Sequence, residues 1–391
     1  MKVLFLNAYD DPAVSGGGAE MTLHHLTQGL LSRGIEPVIL ATGSEPGLKL
    51  CERNGVRIWR AGLRNLYWPQ AKARPHPLRR MAWHVLDSYN LAMQPLLRRV
   101  LQTEKPDVVS IHNLPGWSVA SWETIASLGI PSVQVLHDMY LICPKATMRT
   151  TQGNCAEQCA SCCLLRLPHR SVSNRLSAVV GVSRFILDRF VEQRYFHDVH
   201  IKRVIHNARD LEELGVKVAT IRPASAPLRF GYIGRLDPSK GVELLLEAFC
   251  KDASVDAELW IAGSGRSDYE QSLRSQWASE RVRFLGRVAQ RDFYPKVDVI
   301  VVPSLWEEPL GMVVAESMSF SKPVIGSRRG GIPEIIQDGE NGLLFEPNND
   351  GELKEAIRRL ARDPDLRFRM GKAARISAEP FLDRKIGRAH V

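Results

Sequence analysis

Short apolar runs alternate with helical patterns along this sequence, and the alternation begins twice. The runs of the first half lie at residues 2–8, 36–42, 56–59, 106–113, 131–138 and 178–183, and those of the second half at residues 228–236, 257–265, 282–288, 297–304, 322–327 and 341–347. Strands that alternate with helices form crossover units, and such units build parallel sheets. The sequence therefore predicts an α/β fold with two doubly wound domains of similar size.

The boundary between the two halves is predicted from composition. Residues 207–227 lack a core pattern and are rich in Ala, Pro and Ser. We therefore predict a first domain at residues 1–206, a linker at residues 207–227 and a second domain at residues 228–391. Within the first domain, residues 78–103 predict a long helix that bends at Pro95.

Basic residues are unevenly distributed along the chain. The formal net charge is +9, and between Arg57 and Lys105 the Lys and Arg residues are opposed only by Asp87 and Glu104. Such a segment suits an anionic lipid surface, nucleic acid or plain solvent. No zinc-finger, recognition-helix or stacking pattern accompanies the charge, so we expect no nucleic-acid partner.

Residues 64–85 combine this charge with aromatic side chains. Their basic residues are Arg64, Lys72, Arg74, Arg79 and Arg80, interleaved with Tyr67, Trp68 and Trp83. Aromatic rings settle at the lipid–water boundary, and basic side chains are attracted to anionic lipid. The stretch predicts a peripheral contact with an anionic membrane surface, and a soluble enzyme with a basic face is the alternative.

The hydropathy of the chain bears on its location. No run of 18 or more apolar residues occurs, so no membrane-spanning helix is predicted. The opening "MKVLFLNAYDD" is typical of a first strand and not of a signal peptide. We therefore expect a cytoplasmic protein that works at the inner face of the cell membrane.

A loop with residues suited to binding a ligand follows the first strand of each half. "SGGGAE" places Gly17 and Gly18 before a helix, where backbone N–H groups favour anions, although a plain turn explains these residues as well. "GRLDPSKG" places Arg235 and Lys240 around a turn at a helix start. A cation at a helix N-terminus opposes the helix dipole unless an anion lies between them, so the pair predicts a diphosphate site.

Two carboxylates follow another buried strand. The stretch "WEEPLGMVVAES" leaves an apolar run, presents Glu308, and then carries Glu316 on an apolar helical pattern. Carboxylates are rarely buried without a partner, so this pattern predicts a ligand.

Together these motifs resemble one known family. "SGGGAE", "LHD", "GYIGRLDPSKG", "WIAGSG" and "PSLWEEPLGMVVAESMSFSKPVIGSRRGGIPEII" are similar to the motifs of family 4 glycosyltransferases of the GT-B architecture, and the resemblance covers nearly the whole chain. It implies two Rossmann-like domains facing across a cleft, the first for the acceptor and the second for a UDP- or GDP-sugar. It also implies transfer with retention of the anomeric configuration.

The resemblance assigns roles to individual residues. Glu316 is expected to accept hydrogen bonds from the ribose hydroxyls, since its two oxygens match a vicinal diol. Glu308 is expected beside the donor sugar, with Glu307 as a bystander. The other donor-binding residues implied are Gly17, Gly18, Gly234, Arg235, Lys240, Gly263, Arg287, Gly311, Met312 and Val313, the last three at a helix start whose N–H groups reach sugar and phosphate oxygens.

The implied catalytic set is His137, Glu308, Arg235 and Lys240. Arg235 and Lys240 neutralise the departing diphosphate in place of a divalent metal, so no cofactor is required for catalysis. His137 ends the run "PSVQVLHD" and matches the family histidine that approaches the donor sugar. The alternative is a core histidine satisfied by backbone groups.

A cysteine-rich segment follows His137. Cys143, Cys155, Cys159 and Cys162 have spacings that suit a structural zinc site, and a thiol-rich loop without metal is the alternative. Some bacterial polysaccharide transferases of this family carry a similar insertion. Its position suggests acceptor recognition or a lid.

The predicted function is transfer of a sugar to a lipid-linked or glycan acceptor in the synthesis of a cell-surface polysaccharide or glycolipid. One alternative is a nucleotide-sugar 2-epimerase of the same architecture, which needs acid and base carboxylates in the first domain that the sequence does not reveal. Another is a non-catalytic nucleotide-sugar-binding subunit.

The family ends in a long helix, whereas residues 386–391 have no periodic pattern, so we expect a truncated C-terminal helix.

Overall fold

The computed structural model describes residues 1–10, 18–71, 75–210, 214–216, 226–252 and 254–382. The chain divides into two compact units, Met1–Asn207 and Ala208–Asp383. Each contains a largely parallel sheet with helices, which confirms the predicted α/β class. Residues 211–213 and 217–225 of the predicted linker and the tail at residues 386–391 lie outside the described residues, so the predicted domain limits and the truncated helix stay predictions.

The first unit contains an eight-stranded sheet in the order β10-β9-β6-β5-β1-β2-β4-β3. Its strands are β1 (Lys2–Leu6), β2 (Glu36–Gly43), β3 (Leu48–Arg53), β4 (Val56–Gly62), β5 (Val108–Ile111), β6 (Ser132–Leu136), β9 (Ala178–Gly181) and β10 (Ile201–Val204), and a separate hairpin contains β7 (Arg149–Thr150) and β8 (Gly153–Asn154). The central strand β1 pairs in parallel with β2 and β5. Its continuous apolar run is buried because helices cover both faces of such a sheet.

The helices of the first unit follow the strands as crossover connections. They are α1 (Gly18–Leu31), α2 (Pro77–Ser88), α3 (Gln94–Glu104), α4 (Ala120–Ser127), α5 (Ala160–Leu165), α6 (Leu167–Val172) and α7 (Arg184–Glu192), with 3-10 turns at Leu91–Met93 and Ser173–Arg175. No described helix in either unit combines the length and the apolar character needed to cross a bilayer.

The long helix predicted at residues 78–103 is two helices. It breaks at Tyr89, whose backbone leaves the helical region with φ −150° and ψ 75°, and at Asn90, whose side chain caps the 3-10 turn before α3. Pro95 lies in the first turn of α3, where a missing N–H leaves no hydrogen bond unmade. The predicted bend at Pro95 is therefore wrong, because this proline starts a helix.

The second unit contains a six-stranded parallel sheet in the order β13-β12-β11-β14-β15-β16. The strands are β11 (Arg229–Ile233), β12 (Glu258–Ala262), β13 (Val282–Gly286), β14 (Val299–Val302), β15 (Val324–Ser327) and β16 (Gly342–Phe345). The helices are α8 (Val242–Cys250), α9 (Ser267–Trp277), α10 (Gln290–Phe293), α11 (Met312–Ser319), α12 (Ile332–Ile335), α13 (Asp350–Arg362) and α14 (Pro364–Ser377), with 3-10 turns at Pro238–Lys240, Tyr294–Lys296 and Glu379–Phe381.

The strand order of the second unit identifies where a ligand belongs. Taken from its first strand, the sheet has the order 3-2-1-4-5-6, and its direction of winding reverses between β11 and β14. In such sheets, ligands bind outside the carboxyl ends of the strands at this reversal. The loops after β11 and β14 carry several of the predicted donor residues, among them Gly234, Arg235, Lys240 and Glu308.

Candidate functional site

Two loops pack closely at the carboxyl edge of the second sheet. Gly234, after β11, donates its N–H to the Ala262 carbonyl at 3.0 Å. Gly263 has φ +140°, and a Cβ there would lie 1.8 Å from the Gly234 carbonyl oxygen. The close approach therefore requires glycine at position 263. It holds the loop of Arg235 next to the loop after β12.

The turn that carries Lys240 is fixed against the end of β14. The Ser239 carbonyl accepts hydrogen bonds from the N–H groups of Leu305 at 2.9 Å and Trp306 at 3.2 Å. Gly241 has φ +71°, and a Cβ there would lie 1.9 Å from the Pro303 carbonyl oxygen. The chain turns here only because residue 241 is glycine.

Lys240 and Glu308 form an ion pair at this edge. The Lys240 Nζ donates to Glu308 Oε1 at 2.6 Å and lies 4.8 Å from the centre of the Trp306 ring. Glu308 is 8% exposed, and its Oε1 also accepts from Ser304 Oγ at 2.5 Å. An anion therefore does lie beside the cation at this helix start, and it is the carboxylate of Glu308.

The neighbouring Glu307 holds a loop in place. Its Oε2 accepts a hydrogen bond from the Gly330 N–H at 2.6 Å. Gly330 has φ +58° and approaches the backbone of Glu308 so closely that a Cβ would lie 1.9 Å from the Glu308 carbonyl oxygen. The same carbonyl accepts from the Gly331 N–H at 2.7 Å. This network orients the Glu308 side chain towards Lys240.

Helix α11 begins at the same edge without a side-chain cap. Its first residues are Met312 and Val313, and Gly311 before them has φ +85°. The first N–H groups of a helix have no partner within the helix, and the helix dipole makes this end positive. The start of α11 is therefore suited to oxygen atoms of a sugar or a phosphate.

Glu316 is buried on α11 and already paired. Arg209 Nε donates to its Oε1 at 2.8 Å, while Gln290 Nε2 at 3.1 Å and the Tyr294 hydroxyl at 3.4 Å donate to its Oε2. Burial, and then the Glu316 carboxylate, raise the pKa of Tyr294 well above its usual range, so this hydroxyl stays a donor. The three donors fix the orientation of the carboxylate.

The two predicted arginines are on the surface of the second unit. Arg235 is exposed after β11, and its carbonyl accepts from the Tyr232 hydroxyl at 2.7 Å. Arg287 is exposed after β13 and donates from Nε to Ser264 Oγ at 2.7 Å. Arg235 and Arg287 therefore both come just after strands of the same sheet. Arg235 also lies shortly before the turn that carries Lys240.

In the first unit His137 pairs with a second histidine. His137 Nε2 lies 2.7 Å from His112 Nδ1, the two rings stack at 5.0 Å, and His112 Nε2 lies 3.1 Å from Ser110 Oγ. His112 and His137 follow β5 and β6, which are neighbours in the sheet. They line a small cleft together with Gln134, Asp138 and Tyr140.

Asp138 lies in the same cleft as this histidine pair and interacts electrostatically with Glu20. Burial, and then the negative charge of Glu20, raise the pKa of Asp138 to about 7. Glu20 is buried in the first turn of α1, which Gly18 begins. Gly17 lies outside the described residues. The helix that follows the glycine motif and the residues after the histidine strand thus lie in the same region of the first unit.

The cysteine-rich segment lies between β6 and β9. Cys143 is buried, Cys155 and Cys162 are half-buried, and Cys159 and Cys163 are exposed. Across the described ranges, no group of three or more His, Cys, Asp or Glu side chains is arranged to hold a metal ion. The predicted zinc site stays a prediction.

Sequence reasoning missed several partners of the predicted residues. Arg209, the closest donor to Glu316, is in the stretch predicted as linker, and nothing in its local sequence indicates a buried ion pair. Gln290 and Tyr294 come from the region of α10, which no motif marks. Ser304 follows β14 directly and was detectable, because polar residues at strand ends commonly line a ligand site.

Comparison with known proteins places the chain among transferases. A model described as "Glycosyl transferase 4-like domain" matches residues 17–208, and one described as "Glycosyl transferases group 1" matches residues 220–377. The chain is 28% identical over 335 residues to an uncharacterized 42.6 kDa protein in the cps region of Klebsiella pneumoniae, covering 85% of this chain and 87% of that protein.

Two further likenesses extend over nine-tenths or more of the chain. The lipopolysaccharide core biosynthesis glycosyltransferase LpsE of Rhizobium meliloti is 27% identical over 364 residues, covering 91% of this chain and 89% of that protein. The crystal structure of Anabaena Alr3699/HepE in complex with UDP and glucose matches with a TM-score of 0.68 at 20% identity, covering 100% of this chain and 98% of that one. At this identity the structural likeness establishes the fold.

Proposed function

Since the chain belongs to the family 4 glycosyltransferases and has their GT-B fold of two Rossmann-like domains, we propose that it transfers a sugar, with retention, from a UDP- or GDP-sugar to a lipid-linked glycan. The observation that carries the proposal is one edge of the second sheet. There the Lys240–Glu308 pair, Glu316 and the uncapped start of α11 follow the strands at which the winding reverses. Relatives that act on lipopolysaccharide or are encoded in a cps region support a cell-surface glycan as product.

The leaving group is a nucleoside diphosphate, whose negative charge rises as the bond to the sugar breaks. Lys240 has three N–H donors and donates one hydrogen bond to Glu308, so two donors remain for phosphate oxygens. Arg235 adds a second exposed cation from the same loop. Cations that are already in position stabilise this charge without a metal ion, and in this proposal catalysis needs none.

The carboxylates bind the donor at its two ends. Glu316 has about four acceptor positions, three of which its protein donors use, and the 3.4 Å bond from Tyr294 is the weakest of these. The ribose hydroxyls take the remaining positions. Glu308 holds Lys240 and Ser304 on Oε1, and its Oε2 faces the hydroxyls of the donor sugar.

In this proposal the acceptor reacts on the face from which the diphosphate leaves. The acceptor hydroxyl oxygen bonds to the anomeric carbon, the bond from that carbon to the phosphate oxygen breaks, and the departing phosphate takes the hydroxyl proton. His137, which the family resemblance assigns to the donor sugar, keeps that role in the proposal. The His112 ring stacked on His137 fixes its orientation.

A product assay tests this function. The protein is incubated with a panel of UDP- and GDP-sugars and a lipid extract, with EDTA and without added divalent cation. We expect one sugar to be added to a lipid-linked glycan, detected by mass spectrometry, with the anomeric configuration of the donor retained by NMR. An inverted linkage contradicts the retaining mechanism, and activity that disappears in EDTA and returns with Mg²⁺ contradicts metal-independent catalysis.

The same assay separates the alternative functions. A nucleotide-sugar 2-epimerase converts the donor to its epimer without any acceptor, whereas the proposed transferase leaves the sugar unchanged until it is transferred. A non-catalytic subunit binds the nucleotide sugar but yields no product with any donor and acceptor pair. The ion-paired Lys240 and Glu308 favour a catalytic site over a non-catalytic subunit.

We further propose that helix α2 contacts an anionic membrane. Leu78, Met81 and Val85 are 65%, 57% and 54% exposed and are spaced three and four residues apart, so they form one apolar stripe. Arg79 beside them is exposed. Trp83, predicted as a surface aromatic, is instead buried, and its Nε1 donates to the Tyr67 carbonyl at 3.0 Å. Lys72 and Arg74 lie outside the described residues.

Binding to vesicles tests the membrane contact. Each basic residue near anionic lipid contributes about 1 kcal/mol, and the apolar stripe adds burial. We expect co-sedimentation with anionic vesicles that weakens as salt rises, and a loss of binding in Met81→Asp. Ile376→Asp is the matched control, since Ile376 is a similarly exposed residue of α14 in the other unit. Equal recovery in the supernatant with anionic and neutral vesicles at low salt refutes the contact.

A further inference from the structure

The loop that follows β14 holds the Lys240 turn through both backbone and side chain. The N–H groups of Leu305 and Trp306 donate to the carbonyl of Ser239, the residue before Lys240. In the same loop, Glu308 Oε1 accepts a hydrogen bond from the Lys240 Nζ at 2.6 Å. One short stretch of sequence therefore fixes the chain at Lys240 and also binds its ammonium group.

A third contact comes from the ring of Trp306. The Lys240 Nζ lies over this ring, 4.8 Å from its centre. The face of an indole ring carries partial negative charge and attracts a cation within about 6 Å of its centre, more strongly than the ring of tyrosine or phenylalanine does. The ring therefore attracts the ammonium group while that group donates to Glu308.

The indole nitrogen of Trp306 does not explain why a tryptophan stands at this position. Within the described part of the chain, its Nε1 is buried and has no hydrogen-bond partner, although the residue as a whole is half-buried. A buried N–H without a partner is costly, and the nitrogen of a buried tryptophan usually has one. The polar interaction that the structure gives this side chain is the one between its ring face and Lys240.

The position of the ammonium group matters because a lysine side chain is flexible. Its long stem allows many rotamers, and restricting them costs conformational entropy. The Lys240 side chain is 27% exposed, so it is accessible to a ligand at the carboxyl edge of the sheet. A cation that is already in place stabilises the charge of a departing diphosphate without further reorganisation.

We propose that Trp306 is a positioning residue, which holds the Lys240 ammonium group in place for the diphosphate of the nucleotide sugar. The inference rests on the proposed function, in which Lys240 binds that diphosphate. Trp306 acts here through Lys240 and not through a contact of its own with the nucleotide. It should therefore affect ligands that carry a diphosphate and leave binding of the nucleoside unchanged.

Calorimetric binding tests this role without any acceptor. The nucleoside diphosphate that the unmodified chain binds, UDP or GDP, is compared with its nucleoside, uridine or guanosine. Trp306→Leu removes the ring face and should weaken diphosphate binding about 5- to 30-fold, as expected for the loss of a partly desolvated cation–π contact. Trp306→Phe keeps a weaker ring face and removes no hydrogen bond of Nε1, so it should retain part of the affinity.

Fluorinated tryptophan at position 306 provides a measurement that retains the side chain. Fluorine withdraws negative charge from the ring face and changes its size little. The affinity for the diphosphate should therefore fall stepwise with the number of fluorine atoms. An affinity that does not change along this series overturns the inference, even if Trp306→Leu fails to fold.

A double-mutant cycle shows whether Trp306 acts through Lys240. In a Lys240→Ala background, Trp306→Leu should change diphosphate binding by less than about twofold. Trp260→Leu is the matched control and should bind the diphosphate as the unmodified chain does. Trp260 also has a cation over its ring, Arg229 at 4.2 Å, but Arg229 begins β11, whereas Lys240 follows the carboxyl end of that strand.

The outcomes separate this inference from the proposed function, and thermal unfolding establishes that each variant is folded. If the unmodified chain binds UDP or GDP and folded Trp306→Leu binds it equally well, Trp306 does not position Lys240. Equal weakening of nucleoside and diphosphate, or an undiminished effect in the Lys240→Ala background, also overturns the inference. If the unmodified chain binds neither nucleotide, the proposed donor site is itself wrong.

Discussion

Lys240→Ala is expected to lower turnover about 30- to 150-fold, which corresponds to the loss of about 2–3 kcal/mol from one charge-assisted contact. The lysine holds a charged contact to Glu308 and, in the proposed function, another to the diphosphate. Both are lost in the variant, and the buried Glu308 carboxylate is left without its cation. The measurement is kcat and KM for transfer, together with calorimetric binding of the nucleoside and its diphosphate.

The comparison of ligands shows where Lys240 acts. Of the parts of the bound nucleotide, Lys240 contacts only the diphosphate in the proposed site, so the variant should bind the nucleoside diphosphate more weakly and the nucleoside as well as before. Lys251→Ala is the control, because Lys251 forms an ordinary surface pair with Glu247 at 3.1 Å. Lys240→Arg keeps the charge and should retain part of the activity. Unchanged turnover in Lys240→Ala, in a chain that melts normally, contradicts the assignment.

Much of the fold was predictable because strands and helices alternate with clear spacing. The strand at residues 297–304 was predicted from its apolar run, and β14 occupies its central part. Strand β3 was missed, since as an exposed edge strand it lacks an apolar run. Its hairpin was nonetheless marked by Asn54 and Gly55, which have φ 52° and 75° as a two-residue turn requires.

The site was predictable where motifs lie at strand ends, and less so where partners come from elsewhere in the sequence. Lys240 and Glu308 were both selected from local pattern, and the structure joins them by a hydrogen bond although they lie 68 positions apart in the sequence. The pairing itself was not predicted, because it depends on the adjacency of β11 and β14. Arg209 illustrates the limit, since a single arginine in a Pro- and Ala-rich stretch carries no signal of burial against Glu316.

Glu316→Gln is expected to weaken binding of both the nucleoside and the nucleotide sugar, again by about 30- to 150-fold. The substitution retains the size of the side chain and one carbonyl oxygen for Arg209, but it removes the charge and converts one acceptor oxygen into a donor amide. The ribose diol then meets a donor where it needs an acceptor. Thermal unfolding accompanies the binding measurement, because the change also weakens the buried pair with Arg209 at 2.8 Å.

A thermodynamic cycle isolates the contact between Glu316 and the ribose. Its two changes are the Glu316→Gln substitution and the removal of the ribose hydroxyls in a dideoxy nucleotide. For the unmodified chain, removal of the 2′- and 3′-hydroxyls should weaken binding of the nucleoside diphosphate by a similar factor, whereas the Glu316→Gln variant should bind both ligands almost equally. Glu355→Gln, on the exposed face of α13, is the control and should bind both as the unmodified chain does. If the variant discriminates between the two ligands as strongly as the unmodified chain, Glu316 does not contact the ribose, and its carboxylate serves only to hold Arg209 in the second unit.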